Sequence, residues 1–179
     1  MSARRGGALA VLLLVLALLT GCTEDAGDTR RAAATSLPAP LPAVALDSFD
    51  GGEPLDLSTL KGPALVNLWA QWCGPCREEM PILQEFSEKY AGRVDVVGID
   101  FQDPQSQKAR DLVEETGVTY PLYVDPDGDL DRAAPFPHLR GLPFLAFVDA
   151  EGQVVAQQFV EIRDLEHLEE LVETHLGVA

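Results

Sequence analysis

The chain has little positive charge. Its 179 residues include 13 Lys or Arg against 29 Asp or Glu, which gives a formal net charge of −16, and no basic tract is present. Proteins that bind nucleic acids through phosphate contacts need a basic patch, so we exclude this class and expect no nucleic-acid partner. Cysteine is also scarce, and three cysteines are too few for a small scaffold held together by several disulfides.

The sequence contains no apolar run long enough to cross a bilayer. Residues 8–19 form an uninterrupted apolar run, but a membrane-spanning helix needs about 20 such residues. The run follows Arg4-Arg5 and ends in Leu19-Thr20-Gly21-Cys22, which resembles the bacterial lipobox. We therefore predict a lipoprotein signal peptide over residues 1–21, with Cys22 lipidated and the protein anchored to the membrane without spanning it. Ordinary secretion with Cys22 as a spare thiol is the alternative.

Proline and alanine are enriched after Cys22. The segment is polar and ends in Leu37-Pro38-Ala39-Pro40-Leu41-Pro42, where repeated proline prevents a helix and favours extended backbone. We predict a flexible tether over residues 22–42 and one folded domain over residues 43–179.

Hydrophobic periodicity in the rest of the chain predicts alternating strands and helices. Residues 64–70 are almost continuously apolar, as in a central strand that is covered on both faces. Turn residues and helical spacing place the other elements. They are a hairpin at 44–57, helices at 74–90, 105–116 and from Asp164 onward, strands at 94–99 and 120–124, and a second hairpin at 144–160. This order predicts an α/β fold with a mixed central sheet flanked by helices.

Two of the cysteines lie in Trp72-Cys73-Gly74-Pro75-Cys76, between the central strand and the next helix. Unpaired N–H groups and the dipole at a helix N-terminus stabilise a thiolate, so we predict Cys73 as the nucleophile. Cys76, one turn later, can then attack a mixed disulfide on Cys73 and resolve it.

Three other interpretations of the cysteine pair fit less well. A zinc site would need a second pair of ligands, and no metal is expected. A purely structural disulfide would close too small a loop to stabilise the fold much. Haem attachment would need histidine where the chain has Arg77. We expect no cofactor beyond the redox-active Cys73-Cys76 disulfide.

The residues around this motif resemble the thioredoxin superfamily. Residues 66–70 before the motif and Arg77-Glu78-Glu79-Met80-Pro81 after it are similar to the extracytoplasmic branch that contains TlpA, ResA and the cytochrome c maturation thioredoxins. The resemblance covers residues 44–178. It implies a thioredoxin-like fold with an N-terminal hairpin and an inserted helix and strand at residues 105–124.

The resemblance also implies roles for single residues. Cys73 matches the attacking cysteine and Cys76 the resolving one, and Gly74-Pro75 is the thioredoxin dipeptide. Pro81 matches a helix-kinking proline with a packing role.

Two further sites match positions that contact a substrate. Leu142-Pro143 resembles the cis-proline loop, in which the backbone of Leu142 would pair with a substrate strand, although a trans Pro143 is also compatible with the sequence. Trp72, next to the nucleophile, is expected to form a flat contact surface for partner peptides.

One position departs from thioredoxin. The buried aspartate beneath the motif is replaced by Asn67, which cannot carry a proton. In the ResA-like branch a glutamate three residues after the second cysteine takes over, and here that residue is Glu79. A carboxyl in an apolar site has a raised pKa and can move the proton of Cys76. A solvated glutamate is the alternative.

These observations predict a membrane-tethered, extracytoplasmic thiol-disulfide oxidoreductase of the bacterial cell envelope. The resemblance implies that it reduces disulfides of exported cysteine-containing proteins, such as apocytochrome c. It also implies that a membrane electron-donor protein of the DsbD/CcdA type then reduces the enzyme again. The alternatives are an oxidant that forms disulfides in secreted proteins and a non-catalytic lipoprotein that binds a partner or haem on the same scaffold.

Overall fold

A computed structural model of the chain describes residues 36–178. The predicted signal peptide over residues 1–21 and the predicted lipidation at Cys22 lie outside these residues. None of the helices within 36–178 is both long and apolar enough to span a bilayer. Residues 36–178 contain three helices and eight strands, together with a short 3-10 helix at Leu57–Thr59. They are β1 (Ala39–Pro40), β2 (Ala45–Ser48), β3 (Leu55–Asp56), β4 (Ala64–Trp69), α1 (Gly74–Lys89), β5 (Asp95–Phe101), α2 (Ser106–Thr116), β6 (Leu122–Asp125), β7 (Phe144–Val148), β8 (Gln153–Gln158) and α3 (Leu165–Leu176).

The strands form one mixed sheet in the order β1-β8-β7-β4-β5-β6-β2-β3. Strands β4, β5 and β6 are parallel to one another, and the other neighbours are antiparallel. The predicted mixed α/β fold is therefore confirmed, with β4 near the centre of the sheet. Strand β6, which follows the inserted α2, and the N-terminal hairpin of β2 and β3 extend the sheet beyond β5.

The fully buried strand β4 separates two hydrophobic cores. Leu65 and Trp69 face the core beneath α1 and α3, whereas Val66 and Leu68 face the core on the opposite side of the sheet. This alternation is the ordinary period of a strand, and it places Asn67 on the α1 side. Burial on both faces explains the nearly continuous apolar sequence of β4.

The predicted boundary between tether and domain is wrong by several residues. Ala39 in β1 pairs with Val154 in β8, and Leu41 is 4% exposed and packs in the second core. A proline-rich segment can still form an edge strand, because the missing N–H of Pro40 is tolerated where a strand has a neighbour on one side only. The folded domain therefore includes residues 37–42.

The remaining elements lie close to their predicted positions. Strands β7 and β8 lie within the hairpin predicted at 144–160, and Asp164 caps α3 by accepting the N–H of His167 at 2.8 Å. Strand β5 continues two residues beyond the predicted end, because Asp100 is buried within the strand despite its charge.

Candidate active site

The chain enters α1 through a tight turn that ends at Cys73. The N–H of Cys73 donates to the carbonyl of Ala70 at 3.1 Å, and Cys73 then serves as the N-cap of α1 with a φ of −84°. Its Sγ accepts the N–H of Cys76 at 3.3 Å. Pro75 lies in the first helical turn, where its missing N–H is no loss because that group would have no helical partner. The motif thus places one sulfur directly at the N-terminus of a 16-residue helix.

The two sulfurs form a disulfide. The Cα atoms of Cys73 and Cys76 are 5.3 Å apart, within the range for this bond. Cys73 is 4% exposed and Cys76 1%, so the bond lies just beneath the surface with Cys73 as its more accessible member. On reduction, the thiolate of Cys73 gains the Cys76 N–H and the positive end of the helix dipole as stabilising partners.

Glu79 is buried on the same helical face as Cys76. It is 1% exposed, which excludes the solvated alternative, and its Oε1 accepts the N–H of Ile162 at 2.6 Å. Burial, reinforced by the charge of Glu161, raises the pKa of Glu79 to about 7, although the Ile162 hydrogen bond acts in the opposite direction. Such a group can both accept and release a proton near neutral pH.

The surroundings of Glu79 are polar but sparsely hydrogen-bonded. Within residues 36–178, Glu79 Oε2, Asn67 Nδ2, Trp69 Nε1 and the Tyr120 hydroxyl are buried without a partner. Asn67 slightly lowers the pKa of Glu79, although its Nδ2 lies outside hydrogen-bonding geometry. Burial and the charge of Glu79 both raise the pKa of Tyr120, which therefore stays protonated. Among the described residues, Glu79 accordingly has two neutral polar neighbours, Asn67 and Tyr120, and no cation that would hold it ionised.

The predicted substrate loop lines a groove. The peptide bond between Leu142 and Pro143 is cis, and both residues border a cavity of about 370 Å³. Phe159 also lines it, is 47% exposed and packs edge-on against Phe144 with ring centroids 5.0 Å apart. The other lining residues are Arg140, Gly141, Val160 and Glu161. The groove has an apolar floor with a charge of each sign beside it, which suits an extended peptide.

Trp72 and Pro81 differ in how far the structure agrees with their predicted roles. Trp72 is 53% exposed, so a broad apolar ring is available next to Cys73. Pro81 lies inside α1 but its side chain is exposed, so it does not pack in the core as expected. Its influence is limited to the helix backbone, where it removes one N–H donor. Gly74 opens α1 with free space where a Cβ would lie.

Several residues near the site were not identified from the sequence. Asp103 accepts a hydrogen bond from the turn before Cys73, Asp100 lies near Asp103, Tyr120 lies near Glu79, and Phe159 borders the groove. The sequence does mark Asp100 in one way, because it is a charged residue between the apolar Ile99 and Phe101 at the end of a buried strand. Tyr120 and Phe159 lie far from the motif in sequence, and no local pattern links them to it.

Comparisons with known proteins agree with this geometry. Residues 37–172 match the Redoxin family. The thiol:disulfide interchange protein DsbE of Pseudomonas fluorescens biotype C is 35% identical over 127 residues, which are 70% of this chain and 67% of that protein. The thiol-disulfide oxidoreductase ResA of Bacillus thuringiensis subsp. konkukian is 27% identical over 121 residues, which are 66% of this chain and 67% of the relative.

A solved structure extends the similarity to the fold. The crystal structure of a putative thiol:disulfide interchange protein DsbE from Chlorobium tepidum superposes with a TM-score of 0.65 at 28% identity, and covers 79% of this chain and 100% of that one. The family match, the thioredoxin-like sheet and the Cys73-Cys76 disulfide at a helix N-terminus agree with one another. The chain belongs to the Redoxin family and is a thioredoxin-like thiol-disulfide oxidoreductase of the DsbE/ResA type.

Proposed function

We propose that the protein is an extracytoplasmic reductant, tethered to the membrane by a lipid on Cys22, that reduces disulfides of exported proteins. The observation that carries the proposal is the hydrogen bond from the Cys76 N–H to Cys73 Sγ at the start of α1. This donor stabilises a Cys73 thiolate, which is the attacking species in thiol-disulfide exchange. The reducing direction is supported by the Gly74-Pro75 dipeptide, which the strongly reducing thioredoxin shares. The relatives named DsbE and ResA support the same class of chemistry.

The reaction proceeds in two exchanges. The Cys73 thiolate attacks one sulfur of a substrate disulfide, which forms a mixed disulfide and releases the first substrate thiolate. Cys76 gives its proton to the Glu79 carboxylate and attacks Cys73 Sγ, which releases the second thiolate. The substrate gains two electrons and the enzyme is left as the Cys73-Cys76 disulfide. A membrane dithiol donor of the DsbD/CcdA type returns the electrons, and the disulfide itself serves as the redox centre without a further cofactor.

The groove at Leu142 gives the substrate a place to bind. An extended peptide would pair with the backbone of Leu142, with an apolar side chain on Phe159 and another on Trp72. Apocytochrome c fits this class because its two haem-binding cysteines are close in sequence. The membrane tether would be short, since residues 23–36 extend at most about 40 Å at ~3.1 Å per residue.

The reduction potential of the Cys73-Cys76 couple tests the direction of the reaction. Titration against glutathione should give a value near the −270 mV of thioredoxin, since the motif has the same Gly-Pro dipeptide. A value near the −120 mV of DsbA would instead assign the protein to disulfide formation.

Insulin reduction by the wild type and Cys73→Ala tests catalysis as such. We expect activity in the wild type alone. Equal activity in both, or none in either, would favour a binding protein on a thioredoxin scaffold. Labelling of the wild type, but not of Cys22→Ser, with radioactive palmitate would support the lipid tether.

A further inference from the structure

The turn that presents Cys73 leaves one backbone donor to be satisfied from elsewhere. The Cys73 N–H bonds to Ala70, so Gln71 and Trp72 are the central residues of the turn. Gln71 is 7% exposed, and its N–H points away from the turn. A buried N–H without a partner is unfavourable, because it has lost its hydrogen bond to water and gained none in the protein. The shape of the turn therefore depends on whichever group accepts this hydrogen bond.

That group is Asp103, 32 residues further along the chain. Its Oδ2 accepts the Gln71 N–H at 2.7 Å, and its Oδ1 accepts the N–H of Gln105 at 2.9 Å. Gln105 is the residue immediately before α2. One carboxylate thus connects the turn before the nucleophile to the start of another helix.

Asp103 is itself held by a second carboxyl group. Asp100 lies beside Trp69 in the register of β4 and β5, and is 4% exposed. Its side chain lies within reach of that of Asp103, and a hydrogen bond between two carboxyl groups requires a proton on one of them. Burial, followed by the charge and hydrogen bond of Asp103, raises the pKa of Asp100 to about 8. Asp100 is therefore protonated at neutral pH and can donate a hydrogen bond toward Asp103.

We propose that Asp103, supported by Asp100, is a positioning residue that fixes the turn from Ala70 to Cys73 and so keeps the Cys73 sulfur on the N-terminus of α1. Without Asp103 the Gln71 N–H must find another acceptor, and the turn moves to reach it. Cys73 then loses part of its contact with the helix N-terminus, its thiolate becomes less stable, and its attack slows. This role rests on exchange at Cys73 and does not depend on the direction of electron flow.

The direction in which the pKa of the Cys73 thiol changes distinguishes a positioning role of Asp103 from a purely electrostatic one. Removing a negative charge near Cys73, with no change in geometry, would lower the pKa of its thiol. Displacing Cys73 from the helix N-terminus would raise that pKa. The pH dependence of Cys73 alkylation by iodoacetamide in the reduced protein measures this pKa directly.

Three variants test the role of Asp103. Asp103→Ala should raise the pKa of the Cys73 thiol and slow its attack on a small aromatic disulfide about tenfold at pH 7, since small displacements of reacting groups have effects of this size. Asp103→Asn keeps an oxygen for the Gln71 N–H and should restore the rate to within threefold of the wild type. Asp127→Ala removes an exposed aspartate from another loop and should match the wild type. A lowered Cys73 pKa in Asp103→Ala, or a rate within threefold of Asp127→Ala, would overturn the proposal.

Asp100 provides a second comparison that does not require Asp103→Ala to fold. Asp100→Asn keeps a donor toward Asp103, whereas Asp100→Leu has a similar shape and no donor. We expect Asp100→Asn to react within twofold of the wild type and Asp100→Leu to be slower by at least threefold. Equal rates in these two variants would contradict a supporting role for Asp100. All of these are rate ratios on a small disulfide, so a potential that rejects the reductant proposal would leave them unaffected.

Discussion

Glu79 Oε1 accepts the backbone N–H of Ile162 at 2.6 Å, which ties the redox helix α1 to the segment between β8 and α3. The second oxygen, Oε2, is buried and has no partner within the described part of the chain. One oxygen is therefore fixed in place while the other remains available to a proton. This division suits a carboxyl group that must keep its position while its protonation state changes.

Replacing Glu79 by glutamine should slow the second exchange. Glutamine can still accept the Ile162 hydrogen bond but cannot take the proton of Cys76, and general base catalysis contributes on the order of 10²-fold or more. Single-turnover measurements between pH 5 and 9 should show a step near pH 7 in the wild type and none in Glu79→Gln. Glu78→Gln, which alters an exposed neighbour on the same helix, should retain the step. Identical pH-rate curves for wild type and Glu79→Gln would remove Glu79 from the mechanism.

Glu79 should also make stability depend on pH. Its pKa is raised from 4.5 to about 7 by folding, so the folded state holds the proton more tightly than the unfolded state. The stabilisation is complete below pH 4.5 and is lost as pH rises through 7, with a total of about 3 kcal/mol. Urea unfolding of the oxidised proteins should therefore show Glu79→Gln gaining stability relative to the wild type between pH 4.5 and 8. A stability difference that is constant over this range would contradict the raised pKa.

Phe159 should contribute to binding of protein substrates but not to the chemistry at sulfur. Its ring is half exposed at the groove beside Leu142 and Pro143. We expect Phe159→Ala to raise KM for a protein disulfide by about tenfold, the effect of losing a moderate interface anchor. The rate with a small disulfide, which does not use the groove, should remain unchanged and serves as the control. An equal loss with both substrates would indicate a disturbed active site rather than lost binding.

Gly98 occupies a position with no room for a side chain. A Cβ there would lie 2.5 Å from a methyl group of Leu122 and 3.0 Å from the ring of Tyr120. Gly98→Ala should lower the free energy of unfolding by about 1–3 kcal/mol through overpacking. Gly141→Ala is the matched control, because a Cβ at Gly141 meets nothing within 4 Å. Equal Tm values for the two variants would show that the neighbours of Gly98 move aside without loss.

The N-terminal boundary of the domain can be tested by truncation. A chain beginning at Ser36 keeps β1 and the buried Leu41, whereas a chain beginning at Ala43 loses both. Loss of a buried leucine alone typically lowers stability by about 2–5 kcal/mol, so the shorter chain should have a clearly lower Tm. Equal thermal stability of the two chains would show that residues 37–42 belong to the tether and not to the domain.

The sequence predicted the fold well because local signals and burial agree in the central elements. Some elements can be recognised from local sequence alone. Examples are the apolar run of β4, the N-cap at Asp164 and Gly117 directly after α2. The proline content of residues 37–42 favours extended backbone in a tether and in an edge strand alike, so composition does not distinguish the two. Only the pairing of Ala39 with Val154, a contact across more than a hundred residues, distinguishes an edge strand from a linker.

The candidate site likewise contains residues that the sequence predicts and residues that it does not. Cys73, Cys76 and Glu79 lie on one helix, so their spacing carries the information. Asp103 accepts the backbone N–H of Gln71, and any residue type other than proline at position 71 would provide this donor. The sequence of the turn therefore does not predict this contact. The raised pKa values of Glu79 and Asp100 depend on burial, which spacing alone does not determine.

Strand β1 is short, yet its place in the sheet affects how the protein behaves at high concentration. It pairs with Gln153 and Val154 at the start of β8, and within residues 36–178 the rest of that strand has a partner on one side only. Exposed strand edges promote self-association. We therefore expect copies of the protein to associate through the rest of β8, next to Phe159. Because Phe159 also lines the groove beside Leu142, self-association there would compete with substrate binding, and a bound peptide should keep the protein in solution.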